Sequence, residues 1–467
     1  MTSMFTLKSM REQVNWEIEE ERRIFICQLG QLTRNWEGEL PDLRDIFRDE
    51  EIEWLLSYSI EYTSTYYPYD NEGQWFIRFV AVTGYKDKPD VVDEAGKPSP
   101  RRTTPLHHAT RHAINTAGPI RDLFGIYDRF DVNYIDEFGY THFHVACRYG
   151  CERVVEVFLE LGQDPNLLVH KTGDSPLHLA LEWGNKRVVE LLLSRGADLS
   201  WANGEGSTPL HVICSSQDDD YSTKLFLQII SDEHQTVRLN VKDKLGRTPL
   251  QLAVAYLLPD TVDALLDQGA DLSSFVFPTA DYFAEKVKEW PPEFDVDFKL
   301  RIASNAFIVA ERLEKRGHEL DRSDALTIMK LFAKHELFEK WADHERSWYA
   351  DEKFAGAARK AMITSTLSLY DLIPLRPKEA AKQVSYKDYF NYACDRTSWV
   401  LRKESSEACL AHLCELMSRR FFLRWALEPF LELIQQRLPI LCCAMINEEL
   451  LNEDLFHICL AATSQSS

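Results

Sequence analysis

The chain has 467 residues, room for two to four domains, and its 45% apolar content excludes general disorder. Fifty-three basic residues against 74 acidic ones leave a net charge of −21. Nucleic acid and anionic membranes both require a basic face, so neither is an expected partner.

Taken in order, residues 1–21 show no apolar core of the signal-peptide type and run into Glu17, Glu19, Glu20 and Glu21. No stretch reaches the ~18 apolar residues that span a bilayer; the longest, 438–446, is too short. The expected compartment is the cytoplasm, with the nucleus as the alternative. Residues 1–95 read as a helical N-terminal module. Val14, Ile18, Ile24, Phe25 and Leu29 suggest one or two helices, 41–47 another, and 52–62 a third, with 75–82 a compact apolar run. Trp16, Trp36, Trp54 and Trp75 imply a folded unit rather than a tail. Lys97-Pro98-Ser99-Pro100-Arg101-Arg102 reads as a linker in preference to a nuclear-localisation patch.

A compound signal then recurs. Thr104-Pro105-Leu106-His107, Thr141-His142-Phe143-His144, Ser175-Pro176-Leu177-His178, Thr208-Pro209-Leu210-His211 and Thr248-Pro249-Leu250-Gln251 align at intervals of 37, 34, 33 and 40 residues. Closing turns recur at Leu161-Gly162-Gln163-Asp164, Arg195-Gly196-Ala197-Asp198 and Gln268-Gly269-Ala270-Asp271. In each unit a hydroxyl residue can cap a short helix that proline opens. A second apolar helix follows, as at Val188, Val189, Leu191, Leu192 and Leu193, and glycine closes it. About 30 residues cannot bury such surface alone, so each unit needs a copy on either side. This pattern closely resembles the ankyrin repeat. The resemblance implies about five repeats over 101–273, within an all-α fold: an ankyrin solenoid between the N-terminal module and a C-terminal helical domain.

Local departures are visible. The second helix of the first repeat, 118–129, carries an interrupting Gly125. His142 replaces proline in the second repeat. The fourth carries a Ser/Asp-rich insert at 215–222, placing its second helix at 223–230. In the fifth, Pro259 falls in the first turn of the second helix.

In ankyrin arrays the fingertip turns and the exposed end of the first helix face partners. The matching positions are Glu137, Phe138, Tyr140, Arg148 and Tyr149; Lys171, Thr172, Asp174, Glu182 and Trp183; Glu205 and Ser207; and Lys244, Leu245, Arg247 and Tyr256. Phe138, Tyr140, Tyr149, Trp183 and Tyr256 would form an aromatic stripe with charged edges, a protein-interface composition. The alternative is that Trp183 and Tyr149 pack on a neighbouring repeat.

Past Leu272 the signal stops. Residues 282–290 and 299–315 still read as amphipathic helices with a closing turn at Gly317, so 274–320 is a degenerate repeat or cap. From 321 to 467 the chain is helical and different. Leu326, Ile328, Met329, Leu331 and Phe332 mark one helix. Apolar clusters follow at 367–373 and 386–392, then helices at 409–417 and 421–427, with Pro429 expected to break the second. The last segment, 438–462, reads as two short helices separated at Asn452-Glu453-Asp454.

Within it, Leu438-Pro439, Ile446, Leu450, Asp454 and Leu455 share the frame of the Leu-Pro, Ile, Leu and Asp-Leu positions of an F-box. Leu441 stands where that motif carries an acidic residue. The order of the segments is similar to ankyrin proteins ending in a PRANC (F-box-like) domain, the type found in poxviruses, parasitoid wasps and endosymbionts. The resemblance implies that Pro439 opens a helix, Ile446 and Leu450 share one face, and Asp454 caps the next helix. It also implies docking to a Skp-type adaptor of a cullin–RING ubiquitin ligase. The alternative is a terminal core helix pair buried against 421–433.

His107, His108, His112, His142 and His144, with Cys147, invite a metal reading. His107, His144, His178 and His211, however, occupy the motif position, where the ankyrin resemblance implies hydrogen bonds within and between turns. The ten cysteines lack paired CxxC spacing and read as buried free thiols. No phosphate loop, dinucleotide fingerprint, GxSxG or HExxH is present. No catalytic residue, metal or cofactor is expected. The functional expectation is an adaptor that holds a target near a ligase, with a plain scaffold or inhibitor of a signalling protein as the alternative.

Overall fold

The computed structural model describes residues 2–65, 72–88, 99–111, 117–215, 226, 238–284, 298–339, 352–394 and 403–465. The described residues form 22 α-helices, one 3-10 turn and no strand. They fall into two compact units, 1–218 and 219–467.

The first unit opens with helices Thr2–Gln13, Glu19–Arg34, Asp49–Thr65 and Glu72–Val82. Glu19, Glu20 and Glu21 suit the first turn of their helix, where the dipole favours anions. Phe25, Ile26, Leu29, Ile52, Leu55, Leu56, Ile77 and Val80 are buried and form the module's core. The helix expected at 41–47 is only the turn Leu43–Asp45, because Asp42 accepts the Arg44 amide and the chain turns again before Asp49. Helix Asp49–Thr65 packs on Pro105–Arg111, and Glu72–Val82 on Ala117–Ile126, so the module covers the first repeat. Arg102 ties them together, donating to Glu53 at 2.8 Å and Asp87 at 2.9 Å. Burial opposes its charge, but the two carboxylates outweigh burial and hold its pKa above the usual range. Gly125 does not interrupt its helix, which runs over Ala117–Ile126.

Each repeat is built around the hydroxyl–histidine pair. The Thr141 amide donates to His144 Nδ1 at 3.1 Å, while the His144 amide donates to Thr141 Oγ1 at 3.3 Å. Because Nδ1 accepts, Nε2 carries the proton and donates onward to the next repeat's turn. It reaches Tyr134 O from His107 (3.2 Å), Leu167 O from His144 (2.7 Å) and Ser207 O from His178 (2.9 Å). One side chain thus satisfies a helix-start donor and links two repeats. Gln251 substitutes in the fifth repeat: Oε1 accepts the Thr248 amide and Nε2 donates to Val276 O at 3.0 Å. His142, in place of proline, is buried against Phe124, Tyr127 and Tyr134, and its Nε2 lies 2.8 Å from Thr104 Oγ1. The proline position therefore gains an extra inter-repeat hydrogen bond. Apart from Ser215 and Phe226, the insert at 215–222 and the helix at 223–230 lie outside the described residues, as do His112, Lys97 and Pro98 of the linker, and the helix expected beyond Ala284.

The second unit contains the fifth repeat, Pro249–Ala255 and Pro259–Asp267, with Pro259 at the first helical position. Helix Phe298–Lys315 packs on Pro259–Asp267, and Arg312 bridges Asp260 (2.9 Å) and Asp263 (3.0 Å). Beyond it Phe307, Phe332, Phe338, Phe421, Phe422 and Phe456 make ring contacts that form the core of the C-terminal region. The two helices expected at 409–417 and 421–427 are one, Lys403–Leu433, which continues through Pro429. Proline leaves the Trp425 carbonyl without its helical donor. The Cys459 thiol lies 3.6 Å from that carbonyl and supplies a replacement.

Candidate functional site

On the first unit the fingertips repeat one device. Asp136 Oδ1 accepts the amides of Phe138 and Tyr140, and Asn203 Oδ1 those of Glu205 and Ser207. In the second unit Asp243 does the same for Leu245 and Arg247. An Asx side chain five residues before the capping hydroxyl thus folds each of these tips. His170 occupies that position in the third repeat and cannot accept two amides. There Gly173 N bonds Val169 O at 2.8 Å instead. Adjacent tips are joined through the backbone: Lys171 N to Phe138 O at 3.1 Å and Gly204 N to Thr172 O at 2.7 Å. Gly139, at φ +85°, permits this approach, since an added Cβ would sit 2.5 Å from His170 Cβ.

The face that these tips frame is aromatic and cationic at one end. Phe138 lies between Arg111 (4.7 Å) and Lys171 (4.4 Å). The Arg148 guanidinium stacks on Trp183 at 4.6 Å. Burial pushes the Tyr140 phenol up to about 12, against the lowering influence of Arg148 beside it. Asp174, Glu182 and Glu205 supply acid toward the fourth repeat, with Glu182 and Glu205 exposed. Tyr149 departs from the expected stripe. It is buried, its ring lies 5.8 Å from Trp183, and its hydroxyl donates to Ala109 O at 2.7 Å. It joins repeats and offers no side chain to a partner. Arg111 went unremarked in the sequence, although it stands seven residues after Thr104 as Arg148 stands after Thr141. In the second unit Lys244 and Leu245 are exposed, Arg247 pairs with Asp243 at 2.8 Å, and Tyr256 is half-buried.

The C-terminal segment forms helices Ile440–Glu449 and Asn452–Gln465, with Pro439 preceding the first. The separation is at Leu450-Leu451; residues 452–454 are the first turn of the second helix. Asp454 lies in that turn and accepts the Leu451 amide at 3.0 Å. Leu450 follows the helix in extended conformation, so it does not share a helical face with Ile446. Leu455 is fully buried. Cys443 and Asn447, four apart, are the buried side of Ile440–Glu449. Leu438, Pro439, Ile440, Leu441, Met445 and Ile446 are exposed, Leu441 by 75%. Ile440, Leu441 and Met445 extend the patch beyond the residues that the motif frame singled out.

A buried polar clamp holds this pair. Arg419 donates to Asn447 O and Glu448 O, both at 3.0 Å, placing positive charge at the end of Ile440–Glu449. It also donates to Asn452 Oδ1 at 3.0 Å, and Glu415 accepts the Asn452 amide at 2.9 Å. Burial pushes the Glu415 carboxyl up to about 7, against the Asn452 amide and Arg419. Alongside, His412 donates through Nε2 to Ile373 O at 3.0 Å and sits 3.2 Å from Glu339.

Among the described residues no cluster of three His, Cys, Asp or Glu side chains could hold a metal ion, and no helix is long and apolar enough to cross a membrane. All ten cysteines are free, seven of them buried.

Residues 113–203 and 199–275 each match a family model that describes a run of three ankyrin repeats. The chain therefore carries ankyrin repeats, modules of protein–protein interaction, within an all-α fold. That match ends at residue 275 and does not extend to 438–462, whose F-box-like frame is a matter of sequence spacing. No curated protein matches the chain.

Proposed function

We propose that the protein is a non-catalytic adaptor. The repeat face takes a target protein, and the C-terminal helix pair docks a Skp-type adaptor of a cullin–RING ubiquitin ligase. The target is then held near a ubiquitin-loaded enzyme, and proximity is the mechanism. The working division is 1–95, 101–273, 274–320 and 321–467. The observation that carries the ligase arm is the exposure of Leu438, Pro439, Ile440, Leu441, Met445 and Ile446 on one short helix and its lead-in. Isolated apolar side chains need no explanation, but a run of six does.

A plain scaffold is the second reading. It is favoured by Leu455, which completes the core, and by Leu450, which leaves the helical face. The two separate in a pull-down of purified Skp-type adaptor by the full chain and by Leu441→Asp/Met445→Asp. Both substitutions are at exposed positions, so the fold should survive by circular dichroism. Loss of a buried interface leucine weakens binding roughly tenfold or more. Binding by the full chain that the double variant loses supports the ligase arm. No binding by the full chain leaves an ankyrin interaction protein without ligase recruitment.

A further inference from the structure

Among the described half-buried arginines of the repeats, Arg148 lacks a carboxylate partner. Three arginines of the described array are half-buried: Arg102, Arg148 and Arg247. Arg102 carries Glu53 and Asp87, and Arg247 carries Asp243. Arg148 has no carboxylate within ion-pair distance among the described residues; the neutral Tyr140 hydroxyl lies beside it, and Asp174 and Glu182 act on that hydroxyl from farther off. Its Nε is enclosed with no acceptor, and so is Trp183 Nε1 in the ring on which it stacks.

A half-buried guanidinium has surrendered part of its hydration, and the fold returns to it ring contacts and a neutral hydroxyl but no ion pair. The ring fixes the guanidinium plane, so little side-chain freedom remains to be lost when a planar acceptor arrives. Its donors form a fork that matches a carboxylate bidentately. The chain's overall charge of −21 repels acidic ligands at long range. Attraction to one must therefore come from a local arrangement such as this.

We infer that Arg148, oriented by Trp183, is the receptor for a carboxylate side chain of the target protein, which makes an aspartate or glutamate the anchor of whatever segment the array binds. This rests on the repeat face being the target-binding surface. Phe138, flanked by Arg111 and Lys171, offers an apolar contact at the fingertip of the same repeat.

The test is selection of a random dodecapeptide phage library on the full chain, followed by affinity measurement of the enriched peptides as synthetic probes. Arg148→Gln removes the charge and keeps the stem. Arg148→Lys keeps the charge and loses the planar fork. Phe138→Ala/Trp183→Ala disables the face. Peptides that share one Asp or Glu, bind Arg148→Gln at least tenfold more weakly and Arg148→Lys to an intermediate degree establish the inference. Replacing that Asp or Glu by Asn or Gln should cause the same loss, and should cause no further loss on Arg148→Gln. Peptides that bind the face, lose affinity for Phe138→Ala/Trp183→Ala and yet ignore Arg148→Gln overturn the inference and leave the face as a binding surface. Failure to recover any peptide sensitive to Phe138→Ala/Trp183→Ala overturns both. Thermal unfolding of each variant identifies any loss caused by misfolding, and Arg148→Lys then carries the comparison.

Discussion

Cys459 Sγ stands 3.6 Å from the Trp425 carbonyl, the carbonyl that Pro429 deprives of its helical donor. The long helix Lys403–Leu433 thereby passes a proline without a stop. Cys459→Ala should leave that carbonyl unpaired and cost about 1–2 kcal/mol, while Cys459→Ser, which keeps a donor, should cost less. Urea unfolding of the two variants decides the point. Equal losses would mean that the thiol only fills space.

The motif histidines set an acid limit on the first unit. Burial depresses His107 and His144 to about 4 and holds His142 well below its usual value. Unfolded histidine titrates near 6.5. Below that pH the unfolded chain binds more protons, so stability is fully present above about 6.5 and falls as pH drops toward about 4. Glu415 in the second unit acts oppositely. Its carboxyl is raised to about 7, so stability from its neutral form is present at about pH 4.5 and lost as pH rises through 7. Urea titrations at pH 5 and pH 8, read by hydrogen exchange in each unit, should shift the two units in opposite directions. Glu415→Gln should flatten the shift in the second.

Arg102 joins the N-terminal module to the first repeat through two carboxylates, one of which, Asp87, is 7% exposed. Arg102→Ala should strand both and cost at least ~2 kcal/mol. Arg129, exposed and paired among the described residues to exposed Asp131, should tolerate the same change within about 0.5 kcal/mol. Thermal melts of the two variants make the comparison.

Two glycines with similar backbone angles should respond differently to alanine. Gly162, at φ +87°, has open space around it, so Gly162→Ala should cost only the conformational penalty of about 1 kcal/mol. Gly139→Ala drives a Cβ against His170 and should cost about 2–4 kcal/mol. Equal destabilisation would show that the neighbouring fingertip yields.

The repeats were legible because one short phrase encodes their local physics. Thr/Ser, Pro and His specify a cap, a helix start and an inter-repeat donor within four residues, and each recurs at a regular interval. For Tyr149 the sequence leaves two readings open, partner-facing or packed between repeats, and its burial matches the second. The repeat frame places an aromatic at the partner-facing end of the helix, but only the neighbouring repeat shows that its hydroxyl reaches Ala109. Pro429 was read by its local rule, which holds unless a distant donor intervenes. Cys459, thirty residues later, is such a donor, and nothing in the spacing announces it. The exposed face of Ile440–Glu449 was half legible: Leu438 and Ile446 fell in a motif frame, whereas Ile440, Leu441 and Met445 emerge only because Cys443 and Asn447 take the buried side.

The backbone bonds from Phe138 to Lys171 and from Thr172 to Gly204 tie the second fingertip to the third and the third to the fourth at a fixed interval. Because main-chain atoms make these bonds, the interval survives a change of side chain at any tip position other than the glycines that allow the close approach. Substitution there can alter charge, bulk or polarity without moving the tip beside it. The tips thus work as a ruler with exchangeable markings. New recognition can be acquired by altering single positions, while the length of partner that fits is inherited unchanged.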